Sequence, residues 1–457
     1  MKMAAQESFT YPSKVREQLE NKTILVIGSG GHSSRKVWDI FNEARIKITL
    51  VTHEADNCEA NKVDKVILYD YYTDQTANDK HVVNIVQLLG DGVGDIDGCF
   101  TFTEEDIPIT AAICQKLGLR GVHPDAAMTV RSKQNTYVAL RLKKRYSKYN
   151  TEKYLAISYP IGSEEDIKDA KSVRYPAILK PERHVGSRGV VKVISEEDCI
   201  QQYHRIQQLF RRDSYSDVFG RSMVLMEFLE GHSHEVDVVM YNGELVAAFI
   251  TDIGLYLPET FCCTTTCVPS SICTEMQDQL KRAAYHCCYQ IGLHHGVFNT
   301  EFKLTQSGPK LVEINGRQGS YRRCIIYQTT HGINLWEVAA AIACGIKPSF
   351  PKISTSSFAV GVFLYNNFHG KQFQREDVQR KLMSLVETKD IVLENRFRFK
   401  IEDIQDDNEA FLRTFCHLVA LSNTSIQHAR QNLIALYRGL GFTETDYNIE
   451  RFTSLWA

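Results

Sequence analysis

Val297-Phe298-Asn299-Thr300-Glu301-Phe302-Lys303-Leu304 and, shortly after, Lys310-Leu311-Val312-Glu313-Ile314-Asn315 are the stretches whose reading decides the fold. In the first, period-two alternation puts Phe298, Phe302 and Leu304 on one face and Glu301 on the other. A Gln306-Ser307-Gly308-Pro309 turn joins it to the second as a predicted hairpin. Side chains on one face of paired strands reach each other, so Glu301, Glu313 and Asn315 converge in this reading. Carboxylate and amide oxygens are what a hard divalent cation takes.

Working upstream, Tyr175-Pro176-Ala177-Ile178-Leu179-Lys180-Pro181 reads as a strand ending in lysine, and residues 184–193 as a hairpin with a Gly186-Ser187-Arg188-Gly189 tip. Glycines let the backbone come close, and successive N–H groups cradle phosphate oxygens while Lys180 adds a fixed positive charge. Met223 to Gly231 is an apolar strand running into a turn. Its edge at Glu227, Phe228 and Leu229 offers backbone groups to an adenine ring, and Glu235 offers a carboxylate to ribose hydroxyls. Asn242-Gly243 between two strand patterns predicts a type I′ hairpin. With the metal hairpin, these pieces describe a pocket for ATP and magnesium.

The N-terminal region alternates strand and helix in a parallel βαβ pattern, from Thr23-Ile24-Leu25-Val26-Ile27 through Lys47 to Val51, Val66 to Leu68 and Gly98 to Phe102. Gly28-Ser29-Gly30-Gly31 follows the first strand. Ser33 stands where a dinucleotide fingerprint needs its third glycine, which leaves a dinucleotide site with Glu54 as the ribose acid as the weaker alternative to a structural turn or one facing substrate. Glu104-Glu105-Asp106 and a helix through Leu117 close the unit near Pro124.

At 457 residues, several packed units are expected. The apolar share of 43% and charged share of 24% are those of a water-soluble chain. A net charge of −2 speaks against a nucleic-acid groove. Without a long apolar run or an N-terminal apolar core, neither membrane nor secretion is expected. The thirteen cysteines form no Cys-x-x-Cys pair and read as free thiols in the cytoplasm. Histidines 286, 294 and 295 read as packing or surface groups.

From about Lys133 to Gly345 the chain resembles the ATP-grasp superfamily, and within it the carnosine-synthase group of ATP-dependent carboxylate–amine ligases. The resemblance rests on Glu235-Val236-Asp237-Val238-Val239, Leu245-Val246-Ala247-Ala248-Phe249, Gly296 to Thr305 and Gly345-Ile346-Lys347-Pro348. Asn315-Gly316-Arg317-Gln318-Gly319 departs from it, because the family often has proline and methionine around this arginine. The resemblance implies a mixed α/β and α+β fold: a Rossmann-like pre-domain (1–124), an ATP-grasp domain (125–350, lid about 165–230) and a C-terminal α+β tail (351–457).

It also implies roles. Lys133 and Lys180 contact ATP phosphates under a lid of Gly186, Ser187 and Gly189. Glu227, Phe228 and Leu229 hold adenine and Glu235 the ribose. Glu301, Glu313 and Asn315 bind magnesium or manganese, and Arg317 faces the γ-phosphate. Glu259, Arg322 and Arg323 join Arg317 as substrate candidates. The implied reaction joins a carboxylate to an amine, with amino acids as the expected source of both, through an acyl phosphate. A carboxylase or nucleotide-pathway ligase, and a non-catalytic nucleotide-binding scaffold, are the alternatives. The tail, ending in a helix from Ser425 to Leu440 stopped by Gly441, is expected to cap the site or form a homodimer surface.

Overall fold

The computed structural model describes residues 11–29, 35–53, 60–72, 78–142, 148–183, 186–211, 222–258, 260–350, 355–365, 368–369, 375–387, 391–395, 414–444 and 447–457. Three sheets organise them. Strands β1 (Thr23–Ile27), β2 (Lys47–Thr52), β3 (Lys65–Leu68) and β4 (Gly98–Thr101) form a parallel sheet in the order β3-β2-β1-β4. Parallel neighbours need crossovers, and the helices Arg35–Glu43 and Asn78–Leu89 lie in the connections.

The second sheet is antiparallel and small: β5 (Ser158–Ile161), β6 (Ala177–Pro181), β7 (Val191–Val193) and β8 (Met223–Glu227), in the order β5-β8-β6-β7. It has its own core, in which Ile161, Leu179 and Leu225 meet Ile206 and Phe210 of the helix Glu196–Arg211.

The third sheet carries the hairpins. It runs β13-β12-β9-β10-β11-β14-β16-β15, with β9 at His232–Tyr241, β10 at Glu244–Ile253, β11 at Thr265–Val268, β12 at Gly296–Thr305, β13 at Gly308–Asn315, β14 at Phe358–Tyr365, β15 at Ile391–Asn395 and β16 at Thr414–Ser422. The Asn242-Gly243 turn has φ of 52° and 75°, the two positive values a type I′ turn requires. The β12–β13 turn is shorter than its sequence suggests: Gly308, with φ 97°, already pairs with Thr305, leaving Gln306 and Ser307 as the loop. Phe298 and Phe302 are buried against the helix Thr274–Ile291, each contributing about 1.5–3 kcal/mol. They hold the opposite face of β12 toward the cleft.

The third sheet continues across residue 351, because β11 pairs with β14 and the tail strands extend it. The tail helix spans Ile426–Gly439, with Ser425 Oγ accepting the His428 N–H and Gly441 at φ 87°. The N-terminal unit is fused to this body through aromatic packing, Phe102 standing edge-on to Trp336 at 4.8 Å. Gly28, at φ 83°, sits where a Cβ would overlap the Asp106 carboxylate, so this glycine lets the first turn close on the loop after β4. Gly30, Gly31, Ser33 and Glu54 lie outside the described residues.

Candidate active site

Registers on the third sheet assemble the acidic face. Glu301 of β12 pairs with Glu313 of β13 on one side and Glu235 of β9 on the other. A bulge at Val312 follows, which keeps Glu313 and Asn315 on the face of Glu301. The next row is Asp237, Asn299 and Asn315. Asn299 and Asp237 were readable by alternation from Glu301 and Glu235, yet neither residue type announces a role by itself.

A cavity of about 580 Å³ separates this face from the small sheet, a size in the range of nucleotide sites. Lys133, Lys180, Gly186, Ser187, Glu227, Phe228, Leu229, Glu301, Glu313, Asn315, Arg317 and Arg323 line it. The cavity thus brings together most of the sequence candidates. Sequence reading passed over Ile178 and Met226, its apolar walls, and Lys192, whose ammonium lies 4.3 Å from the Phe228 ring centre.

The remaining candidates stand elsewhere. Gly189 packs the loop on Pro181, Ile206 and Phe210. Glu235 is not among the lining residues, and its carboxylate pairs with the Arg323 guanidinium. Arg322 lies over the Phe363 ring, 5.5 Å from its centre. Glu259 lies outside the described residues. His286 stacks on Tyr149 and His294 sits beside Tyr289, so both pack with aromatic rings rather than in the cavity.

Lysines balance the carboxylates. Lys133 Nζ is 2.7 Å from Glu313 Oε1, and Lys180 Nζ donates to the Val312 carbonyl at 3.1 Å. Burial, then repulsion from Glu313, raises the Glu301 pKa to about 7 against the pull of Lys180, Lys133 and Arg317. Lys180 is 5% exposed, and burial lowers its pKa to about 8, aided by Lys133 and opposed by Glu313 and Glu301. In the free protein its charge is therefore lost as pH rises through about 8. The expected outcome is an ATP KM that climbs above pH 8 in wild type and stays flatter in Lys180→Arg, whose guanidinium remains charged. Initial rates from pH 6.5 to 9.5 check this.

Arg317 enters from the loop after β13, where its carbonyl accepts the Asn299 N–H at 2.8 Å. Its Nε is 3.2 Å from Glu104 Oε2, and Nη1 donates to the Gln318 carbonyl at 2.9 Å. Glu104 comes from the loop after β4, so the N-terminal unit reaches the site; burial raises its pKa, opposed by Arg317 and Arg131. No local pattern signals this contact. On the other wall, Gly186 and Ser187 both have positive φ, 68° and 59°, and Ser187 Oγ donates to the Phe261 carbonyl at 3.0 Å. The glycine loop therefore reaches across the cavity.

Residues 173–324 match the family described as the ATP-grasp domain. The fold is ATP-grasp. The crystal structure of L-amino acid ligase from Bacillus licheniformis overlays with a TM-score of 0.71 at 16% identity, covering 92% of this chain and 97% of that one. An ADP complex of N5-carboxyaminoimidazole synthetase from Staphylococcus aureus gives 0.68 at 15%, covering 92% and 98%. In sequence, the chain resembles carnosine synthase 1 of Mus musculus, 27% identical over 445 residues that cover 96% of this chain and 53% of that protein. The chain spans about half the length of the curated carnosine synthases it matches. ATP-grasp proteins bind ATP or ADP and work with a divalent cation.

Proposed function

We propose that this chain is an ATP-dependent carboxylate–amine ligase that joins two amino acids, or close analogues, through an acyl phosphate. The observation that carries the reading is the one cavity in which Glu301, Glu313 and Asn315 face Lys133, Lys180 and Arg317. The activities named in the relatives, carnosine synthesis and amino-acid ligation, support the same class.

The donor set fits a magnesium or manganese ion: it is all oxygen, and Glu301 and Glu313 stand in register on neighbouring strands. Glu301, Glu313 and Asn315 would hold one or two such ions, which when bound neutralise phosphate charge. Glu227 and the backbone at Phe228 and Leu229 hold adenine. Lys133 and Lys180 bind phosphate oxygens, and the loop at Gly186 and Ser187 covers them and excludes water. A carboxylate oxygen of the substrate attacks the γ-phosphorus and ADP leaves. Arg317, oriented by Glu104, stabilises the negative charge on the transferring phosphoryl group and then on the acyl phosphate. The amine nitrogen attacks the acyl carbon, loses a proton and displaces phosphate.

Arg323, which lines the cavity with Tyr256, Leu257 and Pro258, and Arg322 and Glu259 remain our candidates for substrate ends. We divide the chain as a pre-domain (1–124), an ATP-grasp domain (125–350) and a tail (351–457). We place it in the cytoplasm, as a homodimer or higher homo-oligomer without nucleic-acid or membrane partners. Among the described residues no helix is long and apolar enough to cross a membrane.

The test follows ADP release with magnesium-ATP against amino acids singly and in pairs, β-alanine with histidine included. Turnover that needs a pair, with a dipeptide seen by mass spectrometry, is expected. ADP release driven by bicarbonate or formate alone would overturn the ligase reading in favour of a carboxylase or a nucleotide-pathway enzyme.

A further inference from the structure

Beside the carboxylate row runs the row Asp237, Asn299 and Asn315, on β9, β12 and β13. All three are buried, at 0%, 2% and 8% exposure, and Asn299 and Asn315 line the cavity while Asp237 does not. Buried polar groups of this kind must satisfy one another, so the direction of each hydrogen bond is constrained.

Asp237 sets the direction. An ionised carboxylate only accepts, so Asn299 turns its Nδ2 toward Asp237 Oδ1, at 3.4 Å. Asn299 Oδ1 is thereby turned to β13, where it accepts from Asn315 Nδ2 at 3.0 Å. With its NH2 so engaged, Asn315 has Oδ1 as the atom available to the cavity. The same Asp237 oxygen accepts the Gly319 N–H at 2.8 Å, in the loop that carries Arg317. A Cβ at Gly319 would come within 2.7 Å of Asp237 Oδ1, so the glycine allows this approach.

We infer that Asp237 is a positioning residue whose carboxylate orders the amides of Asn299 and Asn315, so that Asn315 presents oxygen rather than NH2 to the divalent cation. The inference rests on the reading of Glu301, Glu313 and Asn315 as cation ligands. It adds a group that touches neither cation nor nucleotide. Asparagine at 237 donates as readily as it accepts, and with it the row loses its fixed polarity.

The experiment measures Mn2+ binding to the full chain in the presence of ADP, by the electron paramagnetic resonance of free Mn2+, in a double-mutant cycle. Asp237→Asn weakens Mn2+ binding by about 10–100-fold, the usual cost of losing a group that orients a ligand. In the Asn315→Asp background the same change costs less than about threefold, because a carboxylate offers oxygen in either orientation. An unchanged Mn2+ affinity in D237N overturns the inference. So does a loss of the same size in both backgrounds, which marks a structural role alone. If circular dichroism finds D237N unfolded, Asn299→Leu, which removes the middle link, takes its place with the same expected pair of results. Failure of the wild-type chain to bind Mn2+ with ADP overturns the cation site itself, and is distinguishable from all of these.

Discussion

Glu313→Ala lowers the rate of ADP release by on the order of 100–1000-fold while leaving a folded protein, because several kcal/mol of charge stabilisation at the phosphates leave with it. Glu313 pairs in register with Glu301 and holds Lys133 Nζ at 2.7 Å, so the change removes one proposed cation ligand and one ion pair of Lys133. A second readout comes from stability. Glu301 titrates near 7 in the fold against an ordinary value of 4.5, so the folded chain binds more protons than the unfolded one between those values. Its stability therefore falls as pH rises from about 4.5 through 7. Repulsion from Glu313 is one cause of that shift, and E313A flattens this slope. Urea denaturation of the ligand-free protein at pH 5 and pH 7.5 measures it, and ADP release as fast as wild type sinks the metal assignment.

Arg317→Ala is expected to reduce kcat by on the order of 100–1000-fold, the range seen when one donor to developing charge is removed, with the ATP KM within a few-fold of wild type. That split separates a group acting on the transferring phosphoryl from one that binds ATP in all states. Glu104→Gln gives a smaller loss of about tenfold, since Arg317 keeps its charge and its bond to the Gln318 carbonyl but loses the carboxylate at 3.2 Å. Single-turnover ADP formation with saturating substrates is the measurement. Equal kcat in R317A and wild type would remove Arg317 from the chemistry.

Much of this site was legible because its signals are local. Alternation in 297–304 placed Glu301 opposite Phe298 and Phe302, and Asn242-Gly243 stated its turn type, since a side-chain period of two and a pair of positive φ angles are properties of a few consecutive residues, whereas Glu313 and Asn315 share the face of Glu301 only through the bulge at Val312. Lys180 at a strand end and glycines in a hairpin tip were likewise local, and the strand carries Lys180 into the cavity. Glu235 shows where such reasoning stops. Its position in the acidic row depends on β9 pairing with β12 across the helix Thr274–Ile291, and its guanidinium partner comes from beyond β13.

The sequence by itself therefore determined the hairpins, the lysines and side-chain oxygens proposed to hold phosphate and cation, and the ATP-grasp architecture they belong to. Only the tertiary structure decided which groups orient them. Glu104 reaches Arg317 from another sheet, Asp237 accepts the Gly319 N–H across 82 residues, and Lys180 meets the Val312 carbonyl across 132. Those contacts are fixed by the register of strands distant in the chain and by how the N-terminal unit packs on the body. Packing of buried faces sets both, and no short stretch of residues encodes it.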